Sequence, residues 1–356
     1  MKIFLLLLFI IAPLFSQDSL RNINKAHHTY NGFRNPYPGF EEKGLKDLMK
    51  WMVWDRLIKN SRSEDADTVV FKLADNESAW LNSNRMDFSI TWIGHSTMLI
   101  QVDGLNILTD PVFSDRASPM SFIGPKRLVE PGLKFEELPD IDIVIISHDH
   151  YDHLDKETIE KLGNKPIYLV PLGLGDFFEN LEITNYQELD WWDEFKFNNI
   201  LFVCVPAQHF SGRTLFDGNK TLWSGWVIKA LQADIYYAGD SGYFPGFKEI
   251  GQRLGPFDVA FLPIGAYRPR WFMKSVHMNP VEAVQAYQDV NSHYFLPIHW
   301  GTFVLSDEPL QEPPQMLMDE VKKRKLDASL FKILKHGETF KFPVKDIVLD
   351  KPGVTY

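Results

Sequence analysis

Two kinds of apolar pattern divide the chain of 356 residues. Short β-branched runs at 141–146, 166–170, 200–205, 257–263 and 294–298 lack helical spacing. Each is short for a helix, so they read as strands, buried on both faces. Residues 88–93 and 97–102 add two strands, and Asp103-Gly104 then marks a hairpin before a third at 105–108. Further strands are expected at 222–228 and 235–238, with a last one at 331–334. Helices are expected at 155–162 with Asp155 as cap, at 280–289 opened by Asn279, and at 313–323. Residues 174–180 read as helix or loop, and 60–84 as a polar loop. Strand sets alternating with helices imply α/β layering. No short repeat marks a second folded unit.

The N-terminal stretch follows other rules. Met1-Lys2 leads into an apolar run from Ile3 to Phe15, broken by Pro13 and followed by Ser16-Gln17-Asp18. A charged start, a short apolar run and a small residue before a polar stretch are the marks of a cleavable export signal over residues 1–16. An uncleaved membrane anchor is the alternative. An arm follows over 17–85. It holds the turn-rich Asn35-Pro36-Tyr37-Pro38-Gly39 and an amphipathic helix on Leu45, Leu48, Met49, Trp51, Met52, Trp54, Leu57 and Ile58. That helix faces a membrane, the body of the protein or a second copy of the chain. The main folded unit is expected over 86–356.

Composition narrows this picture modestly. At 45% apolar and 14% aromatic residues, the chain can bury a large core. A net charge of −10 argues against a general affinity for nucleic acid. The single cysteine, Cys204, sits in an apolar run and reads as a buried, inert thiol.

The chemistry gathers in six residues, His148-Asp149-His150-Tyr151-Asp152-His153, just after the strand at 141–146. Neutral imidazole and carboxylate are the ligands that suit zinc. His148 and His150 can bend toward one ion, while Asp152 and His153 reach a second. His209, Asp240 and His299 each follow another apolar run directly, as expected when loops at one rim of a sheet build a site. Together these seven residues suit two ions with a shared bridge. Water held between two zinc ions loses a proton near neutral pH and becomes a nucleophile without any serine or cysteine.

The H-x-H-x-D-H motif after a buried strand resembles the signature of the metallo-β-lactamase superfamily. Trp92-Ile93-Gly94-His95-Ser96-Thr97, Leu108-Thr109-Asp110-Pro111, Ala238-Gly239-Asp240-Ser241-Gly242-Tyr243 and Ile298-His299-Trp300-Gly301-Thr302-Phe303 resemble one branch of it. That branch is the N-acylphosphatidylethanolamine-hydrolysing phospholipases D, and the likeness runs from about residue 30 to 342. It implies a four-layer αββα sandwich and two Zn²⁺. His148, His150 and His209 would hold the first ion and Asp152, His153 and His299 the second, with Asp240 bridging. It also implies phosphodiester hydrolysis by a metal-bridging hydroxide, giving phosphatidic acid and an N-acylethanolamine. The substrate would be a phospholipid drawn from a membrane surface, and the protein a homodimer. His277 resembles a family histidine near the phosphate, with a structural role as the alternative. Asp110 is expected to order a ligand histidine, and His95 to do likewise or, by preference, to pack. Asp149 sits where small polar replacements are tolerated. Lys126 and Arg127 read as a solvated pair. About half of Leu172, Leu174, Phe177, Phe178, Phe244, Trp271, Phe272 and Met273 would line an acyl groove. A lactonase or other carbonyl hydrolase, or a di-iron oxidoreductase, are the competing activities on such a scaffold.

Overall fold

A computed structural model describes residues 25–51, 53–54, 71–120, 122–214 and 216–343. The apolar leader and much of the expected helix over 45–58 lie outside these residues. The arm begins with a ribbon of β1 (His28–Thr29) and β2 (Gly32–Phe33), followed by the short helix α1 (Leu45–Met49). Within the stretch expected to be a loop, residues 78–83 instead form α2 (Ser78–Ser83), which buries Leu81.

The first sheet is built from β3 (Ser89–Gly94), β4 (Thr97–Val102), β5 (Leu105–Thr109), β6 (Ile143–Ile145), β7 (Ile167–Pro171) and β8 (Tyr186–Leu189). Between these strands lie α3 (Lys156–Leu162) and α4 (Gly175–Glu179). Strands β3 to β5 run antiparallel, joined in part by the Asp103-Gly104 turn, whose residues have φ of 47° and 80°. From β5 to β8 the pairing is parallel. The period of two explains why both faces are apolar. Ile143 and Ile145 of β6 point to the inter-sheet core, whereas Val144 packs with Ile159, Leu162 and Phe178 of the outer helices.

The second sheet comprises β9 (Glu194–Phe197), β10 (Ile200–Val205), β11 (Gly225–Lys229), β12 (Asp234–Tyr237), β13 (Phe257–Pro263) and β14 (Ser292–Ile298). Its outer face carries α5 (Gly246–Leu254), α7 (Pro280–Val290) and α8 (Glu312–Lys323), and the short α6 (Arg270–Met273) precedes α7. Asn279 caps α7 as expected, accepting from the Glu282 N–H while the Glu282 carboxylate accepts from the Asn279 N–H. The strand expected at 331–334 is only a single bridge, Phe331 to Phe295. The chain instead returns to the first sheet as β15 (Thr339–Lys341), beside β3. Two sheets face to face with helices outside make the expected four-layer αββα sandwich. Trp92, Ile100 and Ile107 of one sheet and Phe202, Trp226 and Phe261 of the other fill its middle.

Candidate metal centre

Strands β3, β5 and β6 run the same way through the first sheet, and β10, β12 and β14 through the second. Their C-terminal ends therefore deliver His95, Asp110, the 148–153 loop, His209, Asp240 and His299 to one rim. The backbone bends sharply there. His95, Asp110 and His299 adopt left-handed φ values of 53°, 33° and 60°. Such turns cost of order 1 kcal/mol each and persist only where neighbours over-determine them. One such constraint is visible, because the His299 N–H donates to the His95 carbonyl at 3.0 Å.

All seven expected ligands converge. His150 Nδ1 lies 2.8 Å from His148 Nε2 and 3.2 Å from His209 Nε2, so three imidazoles aim at one point. Beside them, His299 Nε2 is 3.3 Å and His153 Nε2 is 3.5 Å from Asp152 Oδ2. Asp240 stands between the two groups. Its Oδ2 is 3.0 Å from His299 Nε2, 3.1 Å from His153 Nε2 and 3.8 Å from His209 Nε2. His277 is also brought in, with Nδ1 3.9 Å from Asp240 Oδ2.

The protonation states of the two groups differ. Burial pushes His148 well below its ordinary value, with neighbouring imidazoles adding to the effect, and brings His150 to about 4 and His209 to about 3. In the second group burial opposes charge, but carboxylates prevail. Asp240 and Asp152 hold His299 up to about 9, and with Asp110 they hold His153 well above its usual value. Burial likewise works against the charges of Asp152 and Asp240, yet the surrounding imidazoles keep both well below the usual carboxylate range.

Behind the ligands lies a fully buried network around Asp110. His153 Nδ1 meets Asp110 Oδ2 at 2.6 Å, Ser147 donates to both carboxylate oxygens, and Tyr237 donates its hydroxyl. Ser147 Oγ also contacts His148 Nδ1 at 2.9 Å, so the network reaches both groups. His209 Nδ1 donates to the Val276 carbonyl at 2.9 Å. These bonds fix each ring so that its other nitrogen faces the site.

Several readings need correction. His95 does more than pack, because its Nε2 meets Asp152 Oδ2 at 2.9 Å. Its place directly after a strand was the same signal that marked the ligands. Arg127 is buried, not solvated, and its guanidinium donates to the Val112 and Ser114 carbonyls. Asp155 turns its carboxylate to the Phe113 and Ser114 N–H groups and the Thr158 hydroxyl, not to the backbone of its own helix. Of the eight apolar residues, about half of which were expected to line a groove, Leu172, Leu174, Phe178, Phe244 and Met273 are core as the alternative had it, and only Trp271 is exposed. Ser147 and Tyr237 carried no signal in the sequence.

The donor set fits metal ions. His153 Nε2 and Asp240 Oδ1 are buried without hydrogen-bond partners, a costly state that cations would relieve. A second cluster shows the contrast. Asp190 accepts from His27 Nε2 at 2.7 Å, His28 Nε2 at 2.9 Å, Lys25 Nζ at 2.6 Å and the Trp191 N–H at 2.8 Å. Its carboxylate is satisfied, and the cluster ties the arm to the sandwich.

The family model described as the beta-lactamase superfamily domain matches residues 105–300. The chain belongs to the metallo-β-lactamase superfamily. Relatives place it more finely. It is 44% identical over 243 residues to the N-acyl-phosphatidylethanolamine-hydrolyzing phospholipase D 1 of Caenorhabditis elegans, covering 64% of this chain and 68% of that one. An uncharacterized protein of Mycobacterium tuberculosis is 41% identical over 280 residues, covering 77% of this chain and 73% of that one. In fold, the chain matches Igni18, a metallo hydrolase from the archaeon Ignicoccus hospitalis, with a TM-score of 0.55 and 22% identity over 72% of this chain and 99% of that one. Within the superfamily it therefore falls in the phospholipase D branch, and it is a metal-dependent hydrolase.

Proposed function

We propose that the protein is a zinc-dependent phosphodiesterase that cleaves N-acylphosphatidylethanolamine-like lipids to phosphatidic acid and N-acylethanolamine. The observation that carries the reading is Asp240, whose Oδ2 stands among nitrogens of both ligand groups. One shared carboxylate between an imidazole trio and a mixed imidazole–carboxylate group suits paired ions, and paired ions suit phosphoryl transfer. His148, His150 and His209 would hold one ion and Asp152, His153 and His299 the other, with Asp240 common to both. Zinc, when bound, supplies Lewis acidity toward a phosphoryl oxygen and draws a nucleophile from water near neutral pH.

The protein's own groups orient the substrate. His277 is kept neutral, since burial drives its pKa well below the ordinary value, and its buried Nδ1 has no partner. From the edge of the Asp240 carboxylate it is placed to donate to a phosphoryl oxygen or to the departing alkoxide. The rim supports a lipid substrate. Phe122 (77% exposed), Ile123, Phe210 and Phe216 (85% exposed), on loops that follow β5 and β10, and Trp271 of α6, which follows β13, lie at the same end as the ligands. Exposed apolar side chains around the mouth favour approach to a bilayer, and the apolar leader supports an exported enzyme. The relationship to the nematode phospholipase D supports the choice of headgroup. The test is to incubate the zinc-loaded protein with N-acylphosphatidylethanolamine and with an acyl lactone, and identify products by mass. Release of N-acylethanolamine and phosphatidic acid is expected; cleavage of the lactone alone would refute the reading.

A further inference from the structure

The imidazole trio is assembled from two loops of different sheets. His148 and His150 lie after β6, and His209 lies after β10. Something must hold these loops at the spacing that brings three ring nitrogens to about 3 Å, against the desolvation of packing polar groups together. The residues that alternate with the ligands do this. Asp149, buried between His148 and His150, accepts from the Gly212 N–H at 2.7 Å and the Thr221 hydroxyl at 2.9 Å. Arg213 answers in the opposite direction. Its Nη1 donates to the Asp149 carbonyl at 2.6 Å and the Leu154 carbonyl at 2.8 Å, at the two ends of the ligand motif. Tyr151, between His150 and Asp152, donates its hydroxyl to the Arg213 carbonyl at 2.8 Å, and the guanidinium stacks on its ring at 4.1 Å. Asp217 closes the loop by accepting from the Arg213 and Thr214 N–H groups.

We propose that Asp149 and Arg213 form a clamp between the two loops, a pair of positioning residues that set the affinity of the trio for its metal ion. The inference rests on reading the trio as a metal site. One guanidinium nitrogen spans two carbonyls that flank the motif, and one carboxylate spans the other loop, so the clamp constrains the separation of His150 from His209. The second group, His153 and His299 with Asp152, shares the Leu154 contact but is held in addition by Asp110 and His95. Loss of the clamp should therefore separate the two sites energetically.

The experiment titrates zinc into the metal-free full-length chain against a competing chelator, and follows cobalt substitution by its visible absorption. Arg213→Ala should lose about 10–100-fold in affinity for one ion while the other stays within about twofold. The ion lost should be the one that His150→Ala also loses. Arg213→Lys should recover part of the loss, since an ammonium lacks the planar fork. Asp149→Asn, a smaller change, should weaken the same ion. Unchanged affinity at both sites would overturn the clamp. So would equal weakening of both ions in step with a lower Tm of the metal-free protein, the mark of general destabilisation. Wild-type protein that takes up no ion at the trio would overturn the clamp and the proposed function together. Two bound ions without lipid cleavage, with the variants behaving as expected, would overturn only the lipid activity.

Discussion

Replacing Asp110 by asparagine tests whether the buried network, and not the ligands alone, governs metal binding. Oδ2 of Asp110 accepts from the Ser147 hydroxyl at 2.5 Å, His153 Nδ1 at 2.6 Å and the Tyr237 hydroxyl, while Oδ1 accepts from the Ser147 N–H at 2.7 Å. An asparagine oxygen can replace Oδ2, but its NH₂ then faces the Ser147 N–H, donor against donor. Losing charge assistance on three bonds costs about 0.5–1 kcal/mol each, and the unsatisfied donor pair adds about 1–3 kcal/mol. The total of about 2.5–6 kcal/mol corresponds to a Tm lower by roughly 3–8 °C for a fold of this size. The acceptor opposite His153 Nδ1 would also become neutral, loosening the ring whose Nε2 faces the site, and the relay from Ser147 to His148 would weaken with it. Zinc affinity should then fall by about 10–100-fold. Calorimetry of the metal-free protein gives the first number and chelator competition the second. A lower Tm with unchanged zinc affinity would show that the network stabilises the sandwich without tuning the site.

The protonation contrast between the two groups predicts an asymmetric pH response. In metal-free protein at pH 7, His299 (held up to about 9) and His153 carry protons, whereas His148, His150 and His209 do not. Zinc must displace protons only from the second group, so affinity there should weaken by about tenfold per pH unit per displaced proton as pH falls from 9 to 6, while the trio stays flat. Equal proton release at both sites, measured in weak buffer, would contradict this. His95→Leu should weaken the ion at Asp152 and His299, and His95→Gln should restore part of it by donating to Asp152 again; two equally impaired variants would argue that the ring acts by packing. His277→Ala should slow lipid turnover by about 100-fold with both ions retained, and full activity would remove His277 from the mechanism.

The convergent histidines and carboxylates were legible because each combines a metal-type side chain with the end of an apolar run, two local signals that coincide at 148–153, 209, 240 and 299. Apart from Asp110, their supporting groups were not. Tyr237 is one apolar-patterned strand residue among many, and its partnership with Asp110 spans 127 positions. Asp149 reads as a replaceable spacer until Gly212, Arg213 and Thr221 are folded against it. The missed strands β8 and β9 are edge strands with half-exposed, mixed side chains, so neither shows a buried run. Helix α5 was hidden by Gly246 and Gly251, which favour other conformations. Gly251 is needed because a Cβ there would meet the Asp289 carbonyl of α7. At 331–334 the apolar pattern had no neighbour beyond Phe295 to pair with, and the last strand formed eight residues later.

Counting metal per chain tests the centre of this account most directly. Protein isolated without chelators and supplied with zinc should carry two ions, and Asp240→Asn should lower occupancy of both, because its carboxylate stands among nitrogens of each group. A wild-type chain that saturates at one ion, or an Asp240 variant that keeps two, would contradict it.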